Sequence, residues 1–239
     1  LHGMDHPKAI EFVVNEFAEN SRQIEGTGFG VSIQIKDEWW RAQEVGRPMS
    51  KECRNLLLEI WQNLTNDKHL RSQAFSLWAV TQALGDIEIL RNTESSDELA
   101  NSILRQRLVR GDHKAIPMWL EKLSTDDRGF WWFYGRYLWS AELSNALDEW
   151  LDRRALLPER IWHESSDMDG IISDLILRMD TVEAEQILSE NWSHVRFNFM
   201  YVQSALYVST PKLLELAQTS INECPDPRKM GSSGLIMLF

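Results

Sequence analysis

Cysteine is nearly absent: Cys53 and Cys224 stand 171 positions apart in a chain of 239 residues. With no C-x-x-C pair, they suggest neither a zinc site nor a redox motif. One bridge between them is open in principle, but a large helical chain needs no such staple, and reduced thiols in a cytoplasmic protein are the expectation. Long apolar runs are missing too. None approaches the roughly 18–20 residues that span a bilayer, and the first residues carry no signal-peptide pattern. Positive charge is scarce: 25 lysines and arginines face 36 aspartates and glutamates, for a formal net charge of −11. So acidic a chain disfavours nucleic acid and anionic membranes as partners, since both need a basic face.

Motifs that carry chemistry are missing as well. There is no H-E-x-x-H, no G-x-S-x-G, and no calcium-loop pattern around Asp126-Asp127 or Asp226. His2 and His6 are four apart, a metal-compatible spacing, but they sit at the chain terminus before Pro7 and read as incidental. Gly26-Thr27-Gly28-Phe29-Gly30 feeds the alternating Val31-Ser32-Ile33-Gln34-Ile35, a short strand or extended loop within a glycine-rich insertion over 21–36. Its spacing departs from G-x-G-x-x-G and no G-K-[ST] follows, so a nucleotide loop is excluded. The densest polar cluster is Trp162-His163-Glu164 with Asp167, Asp169 and Asp174. It offers a histidine beside carboxylates, yet no nucleophile or metal-ligand spacing accompanies it. A loop leading into the acidic first turns of a helix explains it better. The expectation is no catalytic residue, no cofactor, no metal and no enzyme.

What is present is tryptophan and repetition. Apolar residues make up 43% of the chain and eleven residues are Trp. Most of these fall in apolar-periodic segments, where large side chains wedge between stacked helices. Ser95-Ser96-Asp97, Asp112, Phe130-Trp131-Trp132-Phe133-Tyr134 and Ser140 recur 67–70 residues later as Ser165-Ser166-Asp167, Asp180, Phe197-Asn198-Phe199-Met200-Tyr201 and Thr210. Such a period marks an array.

Four short helices fit the first copy. One follows Asp97 to a stop at Gly111, one is capped by Asp112, one carries the aromatics to Trp139, and one is capped by Ser140. Thr210-Pro211 confirms the last boundary in the second copy, because proline starts a helix and would break a continuous one. Each unit is then two helical hairpins of about 34 residues.

Upstream, Asp5-His6-Pro7 predicts a capped helix bearing Ile10, Val13, Val14 and Phe17. Ser50 caps another, Asn66-Asp67 turns the chain, and Thr81 through Leu90 predicts a further helix, with Thr81 as the capping residue of a weaker copy. The copies run over approximately 37–92, 95–153 and 165–222 of a single helical-repeat domain, 1–239. The chain starts at Leu1 and ends on the apolar Leu235-Ile236-Met237-Leu238-Phe239, just after Ser232-Ser233-Gly234 reopens the series. Terminal repeats need a polar outer face, so a truncated segment of a longer array, or a tail docking on another subunit, is expected.

Trp131-x-x-Tyr134-Gly135-x-x-Leu138 resembles the first-helix signature of tetratricopeptide repeats with the leucine and tyrosine places exchanged, and its small residue recurs as Ala205. Leu70-Arg71-Ser72-Gln73-Ala74-Phe75-Ser76-Leu77 is similar to the second helix of a HEAT repeat. The resemblance implies an all-α right-handed superhelix of stacked helical hairpins, an α-solenoid. Solenoids offer long curved surfaces, so the expected function is a protein-interaction or target-sensing segment of a larger polypeptide, binding a protein or peptide. Trp131, Tyr134, Arg136 and Tyr201 are the candidate partner-binding residues. The alternative, a HEAT-like DNA glycosylase, requires a cationic face that a charge of −11 does not favour.

Overall fold

The computed structural model describes residues 4–23, 48–93, 98–126, 129–155 and 166–224, with the backbone alone at 154–155 and 166–168. His2, the glycine-rich 26–35 stretch, Trp39, Trp40, Trp162-His163-Glu164 and the apolar run 235–239 lie outside the described residues. Every element among the described residues is a helix. The chain divides into two units, Leu1–Arg107 and Leu108–Phe239.

In the first unit, α1 (Pro7–Gln23) begins on proline, whose fixed φ suits a first turn. Proline in that position makes the preceding residue the cap, so His6 and not Asp5 takes the role. The His6 carbonyl accepts from Ala9 N and Ile10 N at 2.9 and 3.1 Å. Asp5 instead reaches along the fold: its carboxylate accepts from Ser50 N at 2.9 Å and Ser50 Oγ at 2.8 Å. That pins the start of α2 (Lys51–Gln62), where Ser50 Oγ accepts from Cys53 N. Asp67 caps α3 (Lys68–Val80) by accepting from His69 N and Leu70 N, and also takes Arg22 Nη2 at 2.5 Å. Burial alone would raise its carboxyl pKa; the Arg22 guanidinium and the two backbone donors outweigh that and hold it below the usual range.

Helices α1, α2 and α3 pack on one another pairwise. Between them lie Ile10, Val13 and Val14, then Cys53, Leu57 and Trp61, then Ala74, Phe75 and Trp78. The Trp61 ring meets Phe75 edge-on at 5.2 Å and Trp78 at 5.4 Å. The periodicity from Thr81 to Leu90 yields only a shorter helix, α4 (Asp86–Asn92). Thr81 instead terminates α3, donating from Oγ1 to Trp78 O at 3.0 Å while accepting from Arg54. Arg54 lies 5.1 Å over the Trp78 ring and pairs with buried Asp86 at 2.8 Å; Asp86 in turn accepts from Ala83 N. With Gly85 at φ +90°, these bonds hold 81–86 as a loop that periodicity does not register. Helix α5 (Ala100–Val109) spans the division between the units and ends at Gly111, at φ +72°.

In the second unit the helices begin near the landmarks that recur in the sequence. Asp112 accepts from Lys114 N and opens one 3-10 turn (His113–Ala115) before α6 (Ile116–Ser124). The aromatic run is itself a 3-10 helix, Phe130–Arg136. Three residues per turn eclipse every third side chain, and burial follows that period: Trp132, Gly135 and Leu138 form the buried stripe. Helix α7 (Ala141–Ala155) starts at Ser140 through its carbonyl, which accepts from Leu143 N at 3.0 Å; the expected hydroxyl cap is not made, and Ser140 Oγ is buried with no partner. In the second copy, α8 (Ser166–Ile176), α9 (Thr181–Val195), α10 (Phe199–Val208) and α11 (Pro211–Glu223) correspond to α5, α6, the aromatic 3-10 helix and α7. Asp180 and Thr210 cap α9 and α11 as the sequence predicts.

Each helix of this unit packs on the one two places along. The aromatic 3-10 helix, α8 and α10 form one row; α6, α7, α9 and α11 form the other. Trp119, Trp132 and Trp150 fill the space beneath the aromatic run, with Trp132 6.5 Å from Trp119 and 6.4 Å from Trp150. Gly135 brings the 3-10 helix close to α8, where a Cβ would lie 2.7 Å from a Leu175 methyl. The matching residue of α10, Ala205, is fully buried.

Two outcomes follow from this packing. At Gly129 the backbone has φ +78° and an added Cβ would stand 2.8 Å from the Trp150 ring, whereas Gly170 in α8 has open space around it. Gly129→Ala is expected to cost about 1–3 kcal/mol in urea unfolding, and Gly170→Ala to be neutral or stabilising by up to about 1 kcal/mol; equal effects would contradict this geometry. Neither cysteine is in a disulfide. Burial pushes the Cys53 thiol up to about 11, so alkylation of the folded chain at neutral pH should label Cys224 first and reach Cys53 only on unfolding, as peptide mass mapping would show.

Candidate functional site

The row made by the 3-10 helix, α8 and α10 carries an open groove of about 420 Å³. Arg136 marks one side, Ser173, Asp174 and Leu177 the middle, and Met200 and Tyr207 the other side. Spacing in α10 explains the last part. Met200, Gln203 and Tyr207 fall at i, i+3 and i+7 on one helix face, while Tyr201, Val202, Ser204 and Ala205 point inward.

Ser173 lies at the floor, with the buried Ser204 beneath it. Ser173 Oγ and Ser204 Oγ lie 2.5 Å apart, and both stand within hydrogen-bond distance of Met200 O, at 3.2 and 3.1 Å. These bonds tie α8 to α10. Beside them the buried carboxylate of Asp169 accepts from Asn198 Nδ2 at 2.9 Å and from Tyr201 OH at 3.1 Å. Arg136 is set by three contacts. Its Nη2 donates to Asp174 Oδ2 at 3.0 Å, its guanidinium lies 5.0 Å from the Phe133 ring centre, and its carbonyl accepts from Arg178 Nη1 at 3.1 Å. The rim is apolar, with Leu177, Met200 and Tyr207 all exposed, and Tyr207 nearly two-thirds so at 63%.

Of the four residues expected at a partner surface, Arg136 lines the groove. Trp131 and Tyr134 are half-buried on the neighbouring stripe of the 3-10 helix, their rings 5.6 Å apart. Trp131 is also held by its backbone, with N donating to Asp126 Oδ2 at 2.7 Å and O accepting from Trp119 Nε1 at 3.0 Å. Tyr201 is interior: it has no exposed surface in the chain, and its hydroxyl serves Asp169. An aromatic flanked by buried Val202 and Ser204 sits on the core face of its helix, so it cannot meet a partner. Leu177 and Tyr207 are not singled out by the sequence, which marks Asp174 only within an acidic cluster and Met200 only within the recurring aromatic run.

A second depression, of about 300 Å³, lies between α6 and α7. Arg153 donates there to Ser124 O at 2.7 Å and Leu123 O at 3.1 Å, satisfying the end of α6. Among the described residues, no three His, Cys, Asp or Glu side chains gather as metal ligands, and no helix is long and apolar enough to cross a membrane.

The two polar positions differ in what they support. Tyr201→Phe deprives a buried carboxylate of a donor and should cost about 1–3 kcal/mol in urea unfolding. Arg136→Ala removes a half-exposed pair and should cost about 1 kcal/mol or less. An Arg136→Ala loss as large as that of Tyr201→Phe would make Arg136 a structural residue. Comparison of the chain with family models, with curated proteins and with solved structures finds no match, so the groove's own chemistry carries the functional reading.

Proposed function

We propose that this chain is a protein-interaction segment whose Leu108–Phe239 unit is a stack of helical hairpins of the solenoid kind, holding a peptide or protein on the face formed by the 3-10 helix, α8 and α10. Support for the stack comes from the two-places-along packing, which puts alternate helices into two rows. One observation carries the function: the row face is concave at Ser173 and rimmed by exposed Leu177, Met200 and Tyr207 around a fixed arginine. Apolar and aromatic rims around a placed polar group suit peptide anchors, and methionine adapts to their shape. Duplex binding draws no support from this groove, whose lining contains a single basic side chain, Arg136, already paired with Asp174.

Selection from a random peptide library, followed by titration of the recovered peptides, tests this reading. Recovered peptides should lose about tenfold or more in affinity against Tyr207→Ala or Leu177→Ser, both surface changes that leave the unfolding midpoint in place. Peptides that bind these variants as well as the unaltered chain would place binding elsewhere. Salt-sensitive binding of duplex DNA without peptide binding would favour the glycosylase-like alternative.

A further inference from the structure

The chemistry of the partner can be taken one step further, on the premise that the groove binds a peptide. The chain as a whole carries a charge of −11, but the Arg136 end of the groove runs the other way. Arg136 lines the groove, and Arg178 donates from Nη1 to the Arg136 carbonyl at 3.1 Å, which brings a second arginine to that end. Asp174 is the acid among the groove's lining residues, and it pairs with Arg136 Nη2. Arg178 is exposed and pairs with no acid among the described residues. The Arg136 side chain keeps 34% of its surface exposed, and its guanidinium donates to Asp174 through Nη2. The Phe133 ring beneath and Asp174 alongside hold the fork in one orientation, so little freedom remains to be lost when a second acceptor arrives.

We propose that the groove recognises an internal acidic-apolar peptide segment. An aspartate or glutamate side chain is held by the partly exposed guanidinium of Arg136 with Arg178 nearby, and a neighbouring apolar side chain lies against Leu177, Met200 and Tyr207. A carboxylate suits these donors because it accepts N–H bonds in the plane of the fork and is charge-assisted. Its source is a side chain and not a chain end: Tyr137, next to Arg136 in the chain, is itself 47% exposed, which leaves room for a bound segment to run on past the arginine. Asp174 acts as the internal competitor for the same arginine.

Fluorescence anisotropy with short labelled peptides drawn from the selection tests this. Replacing their Glu or Asp by Gln or Asn should weaken binding about tenfold, and this penalty should vanish with Arg136→Gln and persist in part with Arg136→Lys. Asp174→Asn, an exposed change, should tighten the acidic peptide several-fold and leave its amide form unchanged; a purely structural arginine would not produce that gain. Thermal unfolding of each variant separates lost binding from lost folding, and the Asp174→Asn arm does not depend on Arg136 being replaced. Peptides that bind through Tyr207 and Leu177 with no preference for an acid would overturn the carboxylate assignment and leave the peptide groove standing. Preference for a free over an amidated C-terminus, with the internal acid dispensable, would overturn the choice of a side chain. Self-association of the chain that is lost with Tyr207→Ala would overturn the partner itself and assign the groove to a second copy. No peptide dependence on Tyr207 or Leu177 at all would sink the underlying reading instead.

Discussion

The indole of Trp150 is where the second unit is tied together. Its face lies under Gly129, so near that no side chain fits there, and its Nε1 donates to Asp126 O at 2.9 Å. Asp126 in turn uses both carboxylate oxygens to hold Gly129 N and Trp131 N. One side chain of α7 therefore sets both the position of the turn and the direction in which the aromatic 3-10 helix leaves it. That direction decides where Arg136 arrives. The groove is downstream of an interior contact that no partner touches, which is why its arginine can be fixed without being buried.

Much of the second unit was legible because its signals are local. A cap is a contact between a side chain and backbone a few residues away, so Asp180 and Thr210-Pro211 announce their helices without knowledge of the fold. Where the decisive partner lies far along the chain, the reading falters. Asp5 is a good cap by its surroundings, yet it holds Ser50, 45 residues on. Thr81 to Leu90 has the apolar spacing of a helix, and Arg54 turns part of it into a loop by pairing with Asp86 and Thr81. Nothing near Thr81 records that arginine.

The candidate site divides along the same line. Arg136 is conspicuous in an aromatic run and does face the groove. Tyr201 looks equivalent to Tyr134 by its place in the repeat but lies on the buried side of α10. A small-residue test would have separated them. Ser204 and Ala205 mark the face that approaches a neighbouring helix, and Gln203 just before them marks the opposite one, which points to Met200 and Tyr207. Asp174 and Leu177 carry no such mark; they matter because α8 lies between the other two members of its row.

The two forms taken by the aromatic segment bear on how these copies could diverge. Ten positions separate Phe130 from Ser140, and thirteen separate Phe197 from Thr210. A 3-10 helix climbs about 2.0 Å per residue and an α-helix about 1.5 Å, so the seven-residue Phe130–Arg136 rod and the ten-residue Phe199–Val208 rod come out within about an ångström of the same length. Three residues can thus be gained or lost in a copy while the spacing of the row stays put, because winding, and not the connecting turn, takes up the difference. Segments of unequal length can thus present rods of nearly equal length, and a search for a strict period in the sequence would underestimate that likeness.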